Sequence, residues 1–95
     1  MHAFTGQKVI VRTYSAGVHF GEVLDGNGKE ILLKDAKRIW RWNGANTLNE
    51  IALRGVASTS KISDAVPRIL LTEAIEVIPC SEAAVVSLEG ATWAK

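Results

Sequence analysis

Val18-His19-Phe20-Gly21-Glu22-Val23-Leu24-Asp25-Gly26-Asn27-Gly28-Lys29-Glu30-Ile31-Leu32-Leu33-Lys34 carries the pattern that decides the fold. Val18, Phe20, Glu22 and Leu24 alternate with His19, Gly21 and Val23, the period of two that belongs to a strand. Asp25-Gly26-Asn27-Gly28 then reads as a turn, because Gly and Asn accept positive φ at little steric cost. The spacing predicts a hairpin between residues 21–24 and 30–34.

Upstream, Val9-Ile10-Val11-Arg12-Thr13-Tyr14 is rich in β-branched and aromatic residues, and Ser15-Ala16-Gly17 follows as a turn. Downstream, residues 36–42 read as a fourth strand that stops at Asn43-Gly44. A meander of short strands with glycine at the bends favours a small curled barrel over a flat sheet. Residues 68–72 and 74–78 supply one long strand or two, bulged near Glu73 and ended by Pro79. Thr47-Leu48-Asn49-Glu50 fits a capping box, so a helix of about two turns is predicted over 48–54, stopped by Gly55. Ser81 caps a second helix over 82–88, with Gly90 as its stop and 91–95 as a tail. Residues 56–67 hold Ser58, Thr59, Ser60, Ser63 and Pro67 and read as a long surface loop.

The fold class that follows is α+β, mostly β: a small antiparallel curled sheet or barrel of five to six strands with two short helices. The expected core is Val9, Val11, Val18, Phe20, Leu24, Ile39, Leu48, Ile51, Ile69, Leu71, Ile75, Val77 and Leu88.

Length and composition bound the rest. A chain of 95 residues is the size of one domain, so residues 1–95 form a single unit. At this length roughly 60–65% of the unfolded chain's surface is buried, which leaves association as an easy way to bury more. The apolar content of 47% with 22% charged residues excludes a disordered chain. The longest apolar runs fall far short of the ~20 residues that span a bilayer. Gln7 and Lys8 precede only three apolar residues, which is not the pattern of a secretion signal. Cys80 is alone, so no intrachain disulfide forms. The expected setting is the host-cell cytoplasm, with the virion as the alternative. The net charge of +1 hides a segregation, with most bases before residue 42 and only glutamates among the charges of 69–94. These segments either attract each other between copies, favouring a homo-oligomer, or neutralise each other within one subunit.

No catalytic constellation emerges. Cys80 lacks a neighbouring base, and the two imidazoles, His2 and His19, are not spaced to provide one. A Cys/His cluster for zinc is missing, so neither a metal site nor a cofactor is expected. Glu73 and Glu76 fall on opposite faces of a strand. Gly26-Asn27-Gly28 lacks the Lys-Ser/Thr and the helix of a phosphate loop. The chain is expected not to be an enzyme.

The stretch that departs from a bland domain is 34–42. In a strand, Arg38, Trp40 and Trp42 share one face while Lys37, Ile39 and Arg41 share the other. Trp offers a stacking surface and Arg offers planar donors for phosphate, so Arg38, Trp40, Arg41 and Trp42 are the candidate ligand-binding residues. The competing reading puts the Trp rings in the core, since the chain has only two Phe and one Tyr, or in a subunit interface. Trp93 is expected to pack on its own domain or a neighbour.

Residues 21–25 and 31–36 resemble SH3-like and Sm-like small barrels. Residues 11–21, 36–45 and 71–80 resemble a family of short, uncharacterised proteins of tailed phages and prophages, over about Lys8 to Leu88. The resemblance implies a phage setting and assigns no activity to any residue. The expected function is a non-enzymatic accessory protein that works by binding, as counter-defence that sequesters a nucleotide signal or blocks a host protein. The alternatives are a decoration or connector protein of the particle and, less favoured at a charge of +1, a nucleic-acid-binding small barrel.

Overall fold

Val9, Ile10 and Val11 are all fully buried, although neighbours in a strand point to opposite faces. The sheet therefore has apolar layers on both sides, and that requirement organises the molecule. The structure is a computed structural model that describes residues 3–41, 47–57 and 60–90. Its elements are β1 (Lys8–Thr13), β2 (Val18–Asn27), β3 (Glu30–Arg41), α1 (Leu48–Arg54), β4 (Lys61–Ile62), β5 (Val66–Leu71), β6 (Ala74–Pro79) and α2 (Glu82–Gly90).

The strands form one six-stranded antiparallel sheet in the order β4-β3-β2-β1-β6, with β5 also pairing β3. The first half of β3 takes β5 as its outer neighbour, Ile31 opposite Leu71, and the second half takes β4, Ile39 opposite Ile62. The sheet curls until the hairpin tip meets the start of β6, where Ala74 N donates to the Lys29 carbonyl at 2.9 Å. The curl encloses Val9, Val11, Val23, Ile31, Leu33, Ala36 and Leu71, with Phe4 packed against them. On the other face, α1 and α2 cover Ile10, Phe20, Ile39 and Ile62 with Ile51, Ala52 and Leu88. Each Val, Leu, Ile or Phe among the fully buried ones contributes about 1.5–3 kcal/mol by leaving water.

Both helices begin and end as their residues dictate. Thr47 Oγ1 accepts from Glu50 N at 3.3 Å, and Gly55 closes α1 at φ 82. A Cβ at Gly55 would lie 2.3 Å from Ser87 Cβ, so glycine is required both for the turn and for the approach of α2. Ser81 Oγ accepts from Ala84 N at the start of α2, and Lys37 Nζ donates to the Leu88 and Glu89 carbonyls at its end.

Several expectations need correction. The hairpin turns at Gly28-Lys29, because Asn27 still pairs with Glu30 and β2 runs through Gly26. The expected third and fourth strands are one strand, β3. The 56–67 loop contains β4 and the first residues of β5, and α2 runs two residues further than expected, to Gly90. Ile75 is 54% exposed, because alternation turns it away from the part-buried Ala74. Val18, Leu24, Leu48, Ile69 and Val77 are only half-buried. Val23, Ile31 and Leu33 join the core on the face of Val9 and Val11, and Ile10 and Ile62 join it because the helices cover the other face. Trp42 and the tail with Trp93 lie outside the described residues. No helix among the described residues is long and apolar enough to cross a membrane.

Candidate functional site

One extra residue in β3 builds the site. Between Phe20, opposite Lys37, and Glu22, opposite Lys34, the register shifts, and Asp35 sits there at φ 50. Such a bulge changes which side chains face which way. Ile31 and Leu33 point into the curl before it, and Ala36 does so after it. Alternation then carries Arg38 toward the same side, while Ile39 turns to the helical face. Gly21 lies against the bulge, and a Cβ there would meet the Lys34 carbonyl oxygen at 3.1 Å and Ala36 Cα at 3.3 Å.

Arg38 consequently lies across the strand from His19. Its Nε donates to His19 Nε2 at 3.3 Å, and its backbone N donates to Ser63 Oγ at 2.8 Å. These three residues, with Ala36, Val66 and Ile69, line a cavity of about 190 Å3. His19 is 1% exposed, and its Nδ1 is buried with no hydrogen-bond partner among the described residues. A neutral imidazole that accepts at Nε2 carries its proton on Nδ1. Burial, aided by the Arg38 charge, lowers the His19 pKa to about 4 and so maintains the neutral form. Ser63 Oγ also donates to the Asp64 carbonyl at 3.1 Å. The two terminal nitrogens of Arg38 have no hydrogen-bond partner among the described residues.

Trp40 is not a core residue. It is 59% exposed, with Lys61 Nζ 5.4 Å from its ring centroid, a cation–π contact. The core reading fails because Ile39 and Ile62, not the indole, fill the helical face at this level. Of the four candidate residues, Arg38 and Trp40 thus share an accessible end of β3. Arg41 is the last residue of that strand, and Trp42 lies beyond the described residues. His19, Lys61 and Ser63 were missed as neighbours of this site. For His19 the signal existed, since it alternates in phase with Val23; for Ser63 and Lys61 it did not, because β4 is only two residues long.

Other parts of the surface offer less chemistry. A larger depression of about 480 Å3 is lined by Tyr14, Lys29, Glu73, Ala74 and Ile75, but Glu73 is already engaged by Ser15 Oγ at 2.9 Å. Cys80 is half-buried against the helical core, and burial raises its pKa to about 12, which leaves no thiolate at neutral pH. Among the described residues, no three His, Cys, Asp or Glu side chains come together to hold a metal ion. Among the described residues, Lys8–Glu89 and Arg12–Glu76 join the two oppositely charged segments within the subunit.

Comparison with known proteins adds a family and no activity. The family model of a domain of unknown function, DUF6948, matches residues 6–88. No curated protein matches the chain, and no solved structure does.

Proposed function

Taking as premise that the chain belongs to the DUF6948 family of unknown function, we propose that it is a non-enzymatic binding protein for a nucleotide-type ligand. The observation that carries this reading is the exposure of Trp40 on the same end of β3 as Arg38. At 59% exposure the indole is accessible to a base, and the adjoining cations, Arg38 and Lys61, suit a ligand that carries phosphate. Sequestration of a nucleotide signal in a phage-infected cell is the biological setting we favour. Its support is the likeness of residues 11–21, 36–45 and 71–80 to short phage and prophage proteins. The small-barrel likeness draws support from the strand path β5-β3-β2-β1-β6.

Calorimetric titration with cyclic dinucleotides and cyclic ADP-ribose isomers tests the proposal. Wild type should bind at least one of these ligands, and Trp40→Ala should weaken that binding by ~5- to 150-fold, the loss of ~1–3 kcal/mol of stacking. The same variant should melt within about 0.5 kcal/mol of wild type, as an exposed substitution does. Wild type that binds none of them contradicts the reading.

A second reading, action on a protein partner or as a structural subunit, draws on Val66 and Leu70 of β5, which are 45% and 55% exposed. The homo-oligomer expected from the sequence belongs to this reading. Its support comes from those apolar side chains, since two of the glutamates, Glu76 and Glu89, pair with bases of the same subunit. Light scattering at micromolar concentration that returns a mass of 10.3 kDa, the single chain, rules out the homo-oligomer.

A further inference from the structure

The geometry points to Arg38 as a preorganised receptor for one phosphate group, held in place by His19 and facing the cavity between β3, β4 and β5. Three observations carry this. First, the guanidinium is fixed at Nε by a buried imidazole rather than by a carboxylate, so its positive charge is not neutralised where it is held. Second, its two terminal nitrogens, the pair that grips an oxyanion with two parallel hydrogen bonds, have no partner among the described residues. Third, the cavity beside it holds about 190 Å3, below the roughly 300 Å3 at which pockets enclose a whole small ligand. A site of that size takes one group of a ligand and leaves the remainder outside.

The tautomer of His19 makes the arrangement one-directional. Arg38 only donates, so His19 must accept at Nε2, and a second proton there would turn the pair into two facing cations. Neutral His19 is thus a positioning residue for Arg38. Ser63 adds to the fixation by accepting from the Arg38 backbone N, with its own proton spent on the Asp64 carbonyl. A further cation, Lys61, lies on the adjoining strand β4 against Trp40. A phosphate rather than a carboxylate is favoured because a phosphate monoester keeps further oxygens for Lys61 after two are taken by Arg38. The choice of a nucleotide as the molecule bearing that phosphate rests on the binding reading above; the oxyanion receptor does not.

Side-chain NMR of the full chain, observing Arg38 Nε–H and the His19 ring nitrogens during titration, tests the inference. The probes are inorganic phosphate, acetate, adenosine and adenosine monophosphate. Phosphate should shift the Arg38 and His19 signals saturably and more tightly than acetate. Arg38→Lys, which keeps the charge and loses the paired donors, should weaken phosphate binding about tenfold or more with an unchanged melt. His19→Leu should weaken it similarly, and His19→Gln, which restores an acceptor, should recover part of the loss. Phosphate shifts spread evenly over the lysines, or binding that survives Arg38→Lys, overturn the inference. The adenosine arm separates the two proposals. If phosphate binds at Arg38 and no nucleoside or nucleotide engages Trp40, the nucleotide reading fails and the receptor stands. If adenosine monophosphate binds through Trp40 and is indifferent to Arg38→Lys, the receptor fails and the nucleotide reading stands.

Discussion

The two halves of β3 are one strand with opposite fates. From Glu30 to Ala36 it is clamped between β2 and β5, and Ile31 and Leu33 are fully enclosed. From Arg38 to Arg41 its outer neighbour is the two-residue β4, and Trp40 is left mostly in solvent. The hinge between them is Asp35, where one residue at φ 50 changes the phase of the strand. The first half spends its side chains on stability; the second half, freed from that task by Ile39 and Ile62 beneath it, has an Arg and a Trp left to present. A small domain can thus build a binding face without enlarging its core.

The largest effect expected to break this contrast falls on the first half. Leu33→Ala should cost ~2–5 kcal/mol in chemical denaturation, because Leu33 is completely buried and cannot be replaced by water without a cavity. A loss comparable to that of Trp40→Ala would erase the distinction between the halves.

Next comes His19, where the two halves meet. Its folded-state pKa of about 4 lies below the ordinary 6.5, so the unfolded chain takes up the proton first. The stability that neutral His19 contributes is complete above pH 6.5, is lost as pH falls from 6.5 toward 4, and changes no further below that. The full span is on the order of 3 kcal/mol. Unfolding free energies measured across this range should slope downward toward acid, and His19→Gln should flatten the slope. A wild-type profile that is flat between pH 6.5 and 4.5 would contradict the buried, neutral imidazole.

A smaller effect is expected at the bulge. Gly21→Ala places a Cβ within 3.1 Å of the Lys34 carbonyl oxygen, so the strands must part slightly, at a cost of ~1–3 kcal/mol. If Asp35 sets the phase of Arg38, this variant should also disturb the Arg38–His19 signals, which a purely local strain would leave alone.

The sequence announced the parts of this molecule that local chemistry dictates. Thr47, Glu50 and Gly55 marked α1 to the residue, and the glycine-rich stretch after Leu24 announced a hairpin, displaced by two residues because Asn27 still found a partner in Glu30. Burial was harder to read. Strand alternation assigns one face to solvent, but here helices cover the second face, so Ile10, opposite in phase to Val9 and Val11, is equally buried. Arg38 and Trp40 were legible as a pair from their spacing, whereas the identity of their neighbours was not. β4 arises from pairing with residues of β3 some 25 positions away and the Asp35 bulge from the register between β2 and β3, and no local pattern encodes either. Trp40 was open between core and surface because a scarcity of aromatics says that rings are needed inside, and Ile39, Ile51 and Ile62 met that need instead.

The central claim is that the Arg38–Trp40 end of β3 is an open ligand face, and Trp40 itself can report on it. With Trp42 and Trp93 both replaced by Phe, Trp40 is the sole indole, and its fluorescence can be quenched by acrylamide with and without a bound nucleotide. Ready quenching is expected in the free protein at every protein concentration, and protection when a nucleotide or cyclic dinucleotide is added. An indole already shielded in the free protein, or one that stays equally open at saturating ligand, would contradict that claim.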